Sequence, residues 1–217
     1  ETNSGIQIGY KPPSAVGDTI ICQGIESSQY SIVKLATALA YEWKVLPNDA
    51  GVISGNSENA TVLWNMSYTG SVNVMLRVTI DNTVSYWSKL NVKIVQNTKL
   101  LSQSNDTALC AGQPINLKVG AEGYNLIYKW YQNGNLVQSG ASSQMNISST
   151  STDNSGDYIY EITGSCGTVF SNIMKLTVHP LTRISYITPD IKVPFGDDVA
   201  LEVNAEGHNL MYQWQKD

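Results

Sequence analysis

The sequence has few charged residues and very few histidines. Charged residues make up 14% of the 217 residues, against about 25% in an average soluble domain. Ser, Thr, Asn and Gly take their place, as in exported β proteins. The two histidines, His179 and His208, are too few and too far apart in sequence to predict a Ser-His-Asp or Cys-His catalytic set. We therefore expect no enzyme activity, no catalytic residue, no metal site and no cofactor.

Basic stripes and long apolar runs are also lacking. The net charge is −5, and no cluster of Lys and Arg offsets it, which argues against a nucleic-acid partner. No apolar run approaches the roughly 18 residues of a membrane helix, so no membrane span is expected. Glu1–Gly5 has neither the basic nor the apolar part of a signal peptide. If the protein is exported, we expect that peptide to be absent from this chain.

Alternating apolar residues dominate the centre of the chain. Ile115, Leu117 and Val119 occupy every second position, which is the pattern of a half-buried strand. The same alternation resumes from Leu126 to Trp130, and Asn133-Gly134 predicts a tight turn after it. Further strands are predicted around Met145–Ile147, Tyr158–Ile162 and Met174–Val178. The pattern indicates an all-β protein.

Two details favour an immunoglobulin-like sandwich. Trp130 follows Val119 by 11 residues, the spacing of a core tryptophan on strand C after strand B. The segment Asn154–Tyr158 has the form of a tyrosine corner. The two core cysteines of antibody domains would fall at Val119 and Tyr160, so packing must hold this core instead. The residues predicted to form the structural core are Trp43, Trp130, Tyr158 and Trp214.

The spacing of several motifs resembles that of a known family. Cys110-Ala111-Gly112, Tyr128-x-Trp130, Gly156-x-Tyr158 and Cys166-Gly167 resemble the immunoglobulin-like repeats of Bacteroidetes-type bacterial surface proteins. Residues 1–96 resemble the PKD-like module of the same proteins, through motifs that include Tyr41-x-Trp43, Trp64 and Tyr68-Thr69-Gly70. The resemblance implies a stalk or adhesion segment outside the cell.

An internal repeat suggests how the chain is divided. Gly112–Trp130 matches Gly196–Trp214 at a constant offset of 84, which indicates an array of modules. We expect a PKD-like or immunoglobulin-like sandwich at 1–96, an immunoglobulin-like sandwich at 97–180, and strands A–C of a third module at 181–217. The fold class is thus all-β, with tandem immunoglobulin-like β-sandwiches of which the last is incomplete.

The incomplete module exposes an apolar face that needs a cover. We expect residues 181–217 of two chains to associate, or this segment to dock on the central module. In the other interpretation, the chain is cut from a longer protein and the contact results from the cut. Both predict that Trp214 is at least half buried.

Three cysteines leave one unpaired. When the modules are aligned, Asn82 of the first module stands where Cys166 stands in the central one, and Pro194 of the third stands where Cys110 stands. Cys110 and Cys166 are then the one pair within a single module. We expect a Cys110–Cys166 disulfide, which in the chain-entropy model stabilises by about 4 kcal/mol. Cys22 is then expected to be a buried thiol, and an intermolecular disulfide is the alternative.

The remaining candidates give no specific site. Asp153–Asp157 resembles a calcium loop in composition but lacks the downstream Glu of an EF-hand, and a tyrosine-corner turn explains it. The sequence favours a non-enzymatic adhesion or spacer segment whose protein or glycan ligand it does not identify. The alternative is a carbohydrate-binding accessory module, which would need a row of exposed aromatics. Tyr86, Tyr131 and Tyr160 are scattered in sequence.

Overall fold

The computed structural model describes residues 9–216, and over this range the regular structure is almost entirely β. Two short 3-10 turns, Asn48–Ala50 and Thr152–Asn154, interrupt the strands. Among the described residues, no helix has the length and apolar character to cross a membrane. The all-β prediction is confirmed.

The chain forms two compact units. The first contains the described residues up to Lys99, together with Glu122–Leu126 and Thr163–Thr168. The second contains Leu100–Ala121, Ile127–Ile162 and the described residues from Val169 onwards. The predicted module boundaries at 96 and 180 stay a prediction.

The first 95 residues supply eight strands of the first unit. They are β1 (Ile20–Cys22), β2 (Ser27–Ser31), β3 (Ala38–Leu46), β4 (Gly51–Ser54), β5 (Asn59–Trp64), β6 (Gly70–Ile80), β7 (Thr83–Val84) and β8 (Ser88–Val95). One sheet has the order β1-β8-β6-β3, with β7 beside β6, and the other has the order β2-β5-β4. The sequence also predicts an entry strand from Gly5 to Val16, and this is wrong within the described residues 9–16, where Val16 makes only an isolated bridge to Ser31. Its start lies outside the described residues.

The core of the first unit follows from alternation along β3 and β6. Trp43 is 8% exposed, and Val72, Val74 and Leu76 are each 1% exposed. Tyr30 is also buried, and its hydroxyl donates to the carbonyl of Asp18 at 3.0 Å. Burial, reinforced by the nearby Asp18 carboxylate, raises the pKa of Tyr30 to about 12. This phenol therefore stays neutral and packs as a core residue.

The central strands are β9 (Lys99–Gln103), β10 (Thr107–Cys110), β11 (Ile115–Glu122), β12 (Ile127–Gln132), β13 (Asn135–Gly140), β14 (Gln144–Ile147), β15 (Gly156–Gly164), β16 (Gly167–Phe170) and β17 (Met174–His179). One sheet has the order β10-β17-β15-β12-β13, with β16 beside β15, and the other has the order β14-β11-β9. The strands predicted from alternation are present.

The core of the second unit is built around Trp130, whose exposed fraction is 0%. Its ring lies 4.3 Å from that of Tyr160, centroid to centroid. The Tyr158 hydroxyl donates to the carbonyl of Asn154 at 2.9 Å, so the predicted tyrosine corner is present. Val119 and Tyr160, which hold the places of the antibody cysteines, are both buried. Packed side chains fill the space that a disulfide would span.

Residues beyond His179 form a small two-stranded sheet, β18 (Arg183–Ile187) with β19 (Val203–Glu206). Within the described residues after Glu206 no further strand forms, so the predicted strand C of this segment is wrong. Trp214 is 57% exposed within the single chain, so neither the predicted core position nor docking on the central module is seen, and its cover by a second chain stays a prediction. The physical reason is that β18 and β19 alone offer too little apolar surface to enclose an indole.

Candidate functional site: a disulfide-linked cluster

A covalent bond joins distant parts of the chain inside the first unit. Cys22, at the end of β1, is bonded to Cys166, in the turn between β15 and β16, across a sequence separation of 144. The linker after β8 and the turn at Glu122–Leu126 belong to the same unit. We call this group, defined by Cys22, Lys93, Thr98, Tyr124 and Cys166, the cysteine cluster.

The predicted Cys110–Cys166 bond is therefore wrong, and so is the predicted free Cys22. Cys110 is an exposed free thiol. Cys110 is paired with His179 at the end of β17. This end of β17 lies beside the start of β15, whereas Cys166 follows the opposite end of β15. The nine residues of β15 span about 30 Å. A disulfide needs Cα atoms within about 7 Å, so these two cysteines are too far apart.

The position of Cys22 is set by backbone pairing. β1 runs parallel to β8, and Cys22 is opposite Val95. The Gln23 N–H continues this ladder by donating to the Val95 carbonyl at 2.8 Å. The Asn97 side-chain amide donates to the Gln23 carbonyl at 3.1 Å. These bonds hold the end of β1 beside the linker that follows β8.

The turn that carries Cys166 is held by the same linker. The Thr98 N–H donates to the Cys166 carbonyl at 3.1 Å, and the Ser165 N–H donates to the Tyr124 carbonyl at 2.8 Å. Gly164 permits this approach, because a Cβ there would lie 2.5 Å from the Thr98 Oγ1. The Thr98 side chain is buried at 8% exposure. The linker and the two turns are thus packed against one another.

Lys93 adds a cationic contact to the cysteine cluster. Its Nζ lies 4.0 Å from the centroid of the Tyr124 ring. Such a cation–π contact stabilises by roughly 0.5–1 kcal/mol at an exposed site. Together with the backbone bonds it orients the turn at Glu122–Leu126.

The chemistry available to the cysteine cluster is thiol–disulfide exchange. Cys22 and Cys166 are half-buried, and the neighbours Ser165 and Gly167 are exposed. A dissolved thiol can therefore approach the bond from solvent. Among residues 9–216, no group of three or more His, Cys, Asp or Glu side chains is arranged to hold a metal ion.

Other candidate residues lie in the second unit. The rings of His179 and His208 stack at 3.6 Å with an interplanar angle of 14°. Lys129 Nζ contacts Glu161 Oε1 at 2.8 Å, and the Tyr131 hydroxyl donates to Glu161 Oε2 at 2.8 Å. Hydrogen bonding to Glu161 raises the pKa of both Lys129 and Tyr131. This trio is satisfied by its own contacts.

The aromatics considered for sugar stacking do not form one exposed row. Tyr160 is completely buried, whereas Tyr86 is 56% exposed. Burial raises the pKa of Tyr160 to about 12, in keeping with a core position. The turn at Asp153–Asp157 serves the tyrosine corner through the Asn154 carbonyl. Sequence reasoning predicted the tyrosine corner but missed the cysteine cluster.

Comparisons with known proteins bear on the fold. No family model matches the chain. The chain is 25% identical over 150 residues to the muscle M-line assembly protein unc-89 of Caenorhabditis elegans. That match covers 62% of this chain and spans 2% of the relative's length.

Solved structures of tandem immunoglobulin domains are similar in backbone. A three-domain titin structure with a Glu-to-Ala change has a TM-score of 0.56 at 12% identity, covering 89% of this chain and 77% of that one. Sidekick-1 immunoglobulin domains 1–4 give 0.55 at 15% identity, covering 76% and 47%. A titin I-band fragment gives 0.53 at 13% identity, covering 78% and 65%. The chain has a tandem immunoglobulin-like β-sandwich fold.

Proposed function

We propose that this chain is a non-enzymatic, extracellular adhesion or spacer segment of a bacterial surface protein. The cysteine cluster carries the proposal. Backbone hydrogen bonds connect its segments and a disulfide joins its two cysteines, so it holds distant parts of the chain together. Disulfides of this kind persist in oxidising compartments, which supports a location outside the cytoplasm.

Composition and fold support the same proposal. Tandem immunoglobulin-like domains are typical of adhesion and structural proteins. The low content of charged residues, 14%, suits an exported β protein, and the net charge of −5 disfavours nucleic acid. The bacterial surface setting rests on the resemblance of the Cys-x-Gly, Tyr-x-Trp and Gly-x-Tyr motifs to surface repeats.

The proposal is tested by displaying the chain on bacteria, between a membrane anchor and a terminal epitope tag. A spacer raises the capture of cells by antibody-coated beads several-fold over an anchor that carries the tag directly. An adhesion segment additionally makes the cells bind saturably to a protein-coated surface. The matched control is the Cys22→Ser/Cys166→Ser chain, which has the same length without the covalent bond.

Two results contradict the proposal. One is unchanged bead capture together with no saturable protein binding. The other is saturable binding to a defined glycan that is lost in Tyr86→Ala, because an exposed tyrosine is the kind of platform on which sugars stack. The second result favours the carbohydrate-binding alternative.

A further inference from the structure

The Cys22–Cys166 bond encloses most of the chain in one covalent loop. The two cysteines are 144 positions apart, and β2 to β15 all lie between them. Their Cα atoms are nevertheless 5.5 Å apart. A path along the covalent bonds from one end of the chain to the other can therefore skip the whole segment.

We propose that this bond is a redox-controlled extension stop. While it is intact, tension applied to the two ends of the chain cannot extend the loop between Cys22 and Cys166. When it is reduced, the loop becomes extensible. The inference deepens the proposed function, since a stop of this kind is useful to a spacer that carries load at a surface.

The reason is the order of the covalent bonds. Tension entering from the N-terminal side reaches the Cys22 backbone, crosses the two sulfur atoms and leaves through the Cys166 backbone. The residues inside the loop then bear no end-to-end load. A fully extended chain spans about 3.3–3.6 Å per residue, so the intact bond hides about 500 Å of extension.

The hydrogen bonds around the cysteines keep the stop in place. The Gln23 N–H donates to the Val95 carbonyl, and the Thr98 N–H donates to the Cys166 carbonyl. Both cysteines are thus anchored to the same stretch of chain, the end of β8 and its linker. After reduction these bonds alone resist separation, and backbone hydrogen bonds break at forces far below those that cleave a covalent bond.

Opening the stop requires a two-electron reductant, which we take to be a dithiol. One thiolate of the dithiol attacks a protein sulfur, so that the Cys22–Cys166 bond breaks and a mixed disulfide forms. The second thiol of the reductant then attacks the reductant's own sulfur in that mixed disulfide, which releases the protein sulfur that was attacked first and closes a cyclic disulfide. The dithiol is oxidised, and its two protons end on Cys22 and Cys166 as thiols.

Single-molecule force spectroscopy on the full chain tests the proposal. The chain carries handles at both ends and the Cys110→Ser substitution, which removes the exposed thiol that could exchange with the bond. Without reductant, full extension is limited to the 21 residues before Cys22 and the 51 after Cys166, about 250 Å. Adding dithiothreitol at constant force produces one further lengthening of about 500 Å.

The matched control is the chain that also carries Cys22→Ser and Cys166→Ser, which extends by the full amount with and without dithiothreitol. No lengthening on reduction overturns the proposal. A step of about 200 Å on reduction of the unsubstituted chain overturns it too, because that is the loop of a Cys110–Cys166 bond. Because these measurements need no cell surface, their failure leaves the display experiment unaffected, and the reverse holds as well.

Discussion

At the scale of single residues, packing around one tryptophan holds the core of the second unit. Trp130 is 0% exposed and lies against Tyr160. We expect Trp130→Ala to lower the free energy of unfolding by about 3–5 kcal/mol, the range for a buried aromatic, as measured by urea denaturation. Trp214→Ala is the control, since that indole is 57% exposed. Equal losses in the two variants would contradict a core role for Trp130.

Two neighbouring tyrosines allow the contribution of a hydroxyl hydrogen bond to stability to be measured apart from that of ring burial. Tyr158 and Tyr160 are both completely buried on β15, but only the Tyr158 hydroxyl has a partner, the Asn154 carbonyl. The Tyr160 hydroxyl has none among the described residues. We expect Tyr158→Phe to lower the free energy of unfolding by about 1 kcal/mol, and Tyr160→Phe to leave it unchanged or raise it. Thermal melts that rank the two variants in the opposite order would refute this.

The sequence predicts the burial of these residues better than their hydrogen bonds. Alternation along β15 places Tyr158 and Tyr160 on the same face, and the turn at Asn154 indicates a tyrosine corner. Which hydroxyl meets a carbonyl depends on the path of a loop in three dimensions. The two-residue alternation along a strand determines which face a side chain is on, but not the path of a neighbouring loop. The unpaired Tyr160 hydroxyl could therefore not be predicted from the sequence.

At the scale of elements, the turn between β12 and β13 depends on a left-handed backbone. Asn133 and Gly134 have φ angles of 50° and 80°, as a type I′ hairpin requires. A Cβ on Gly134 would meet no atom within 4 Å, so substitution there changes backbone energy alone. We expect Gly134→Ala to destabilise by about 1 kcal/mol.

Gly134→Asn is the matched variant for that turn. It adds a Cβ in the same open space, but asparagine adopts the left-handed region more readily than alanine. Chemical denaturation should give it about half the loss of the alanine variant. If asparagine costs more than alanine, the φ angle is not the cause.

Strands with a partner sheet were predictable, and strands without one were not. Alternation from Val72 to Ile80 marks β6 because valines there face a core and are 1% exposed. The same alternation from Leu210 to Trp214 gives no strand in the described residues. Alternating apolar residues favour a strand because one face of that strand is buried. They therefore produce a strand only where a second layer of the fold covers that face.

At the scale of the whole molecule, the disulfide was missed because a bond was assumed to close within one module. Cys22 and Cys110 do hold matching positions, each at the end of a strand parallel to the last long strand of its sandwich. The linker after β8 is short, and the turn carrying Cys166 belongs to the first unit. A repeat alignment compares modules and contains no distance between one module and the next.

Mass mapping under non-reducing conditions tests the pairing. The peptides that contain Cys22 and Cys166 should be joined, while Cys110 is alkylated in the native protein. Replacing both bonded cysteines by serine should lower the free energy of unfolding by up to about 5 kcal/mol, the chain-entropy value for a loop of this length. Cys110→Ser is the control and should change little. A Cys110-containing bridge in the purified monomer would refute the pairing.

Self-association through residues 181–217 stays a prediction, and the apolar groove beside β18 and β19 motivates it. Met211 is 96% exposed and Trp214 is 57% exposed, next to a groove lined by Ile184, Ile187 and Val203. Apolar surface of this kind favours association. Sedimentation velocity should show dimers that increase with concentration, and Met211→Ser/Trp214→Ser should weaken the dimer at least tenfold. Phe170→Ser, which removes an apolar side chain that is 62% exposed elsewhere, should leave it unchanged. A chain that remains monomeric at every concentration, or a dimer that responds equally to both variants, would exclude this segment as the contact.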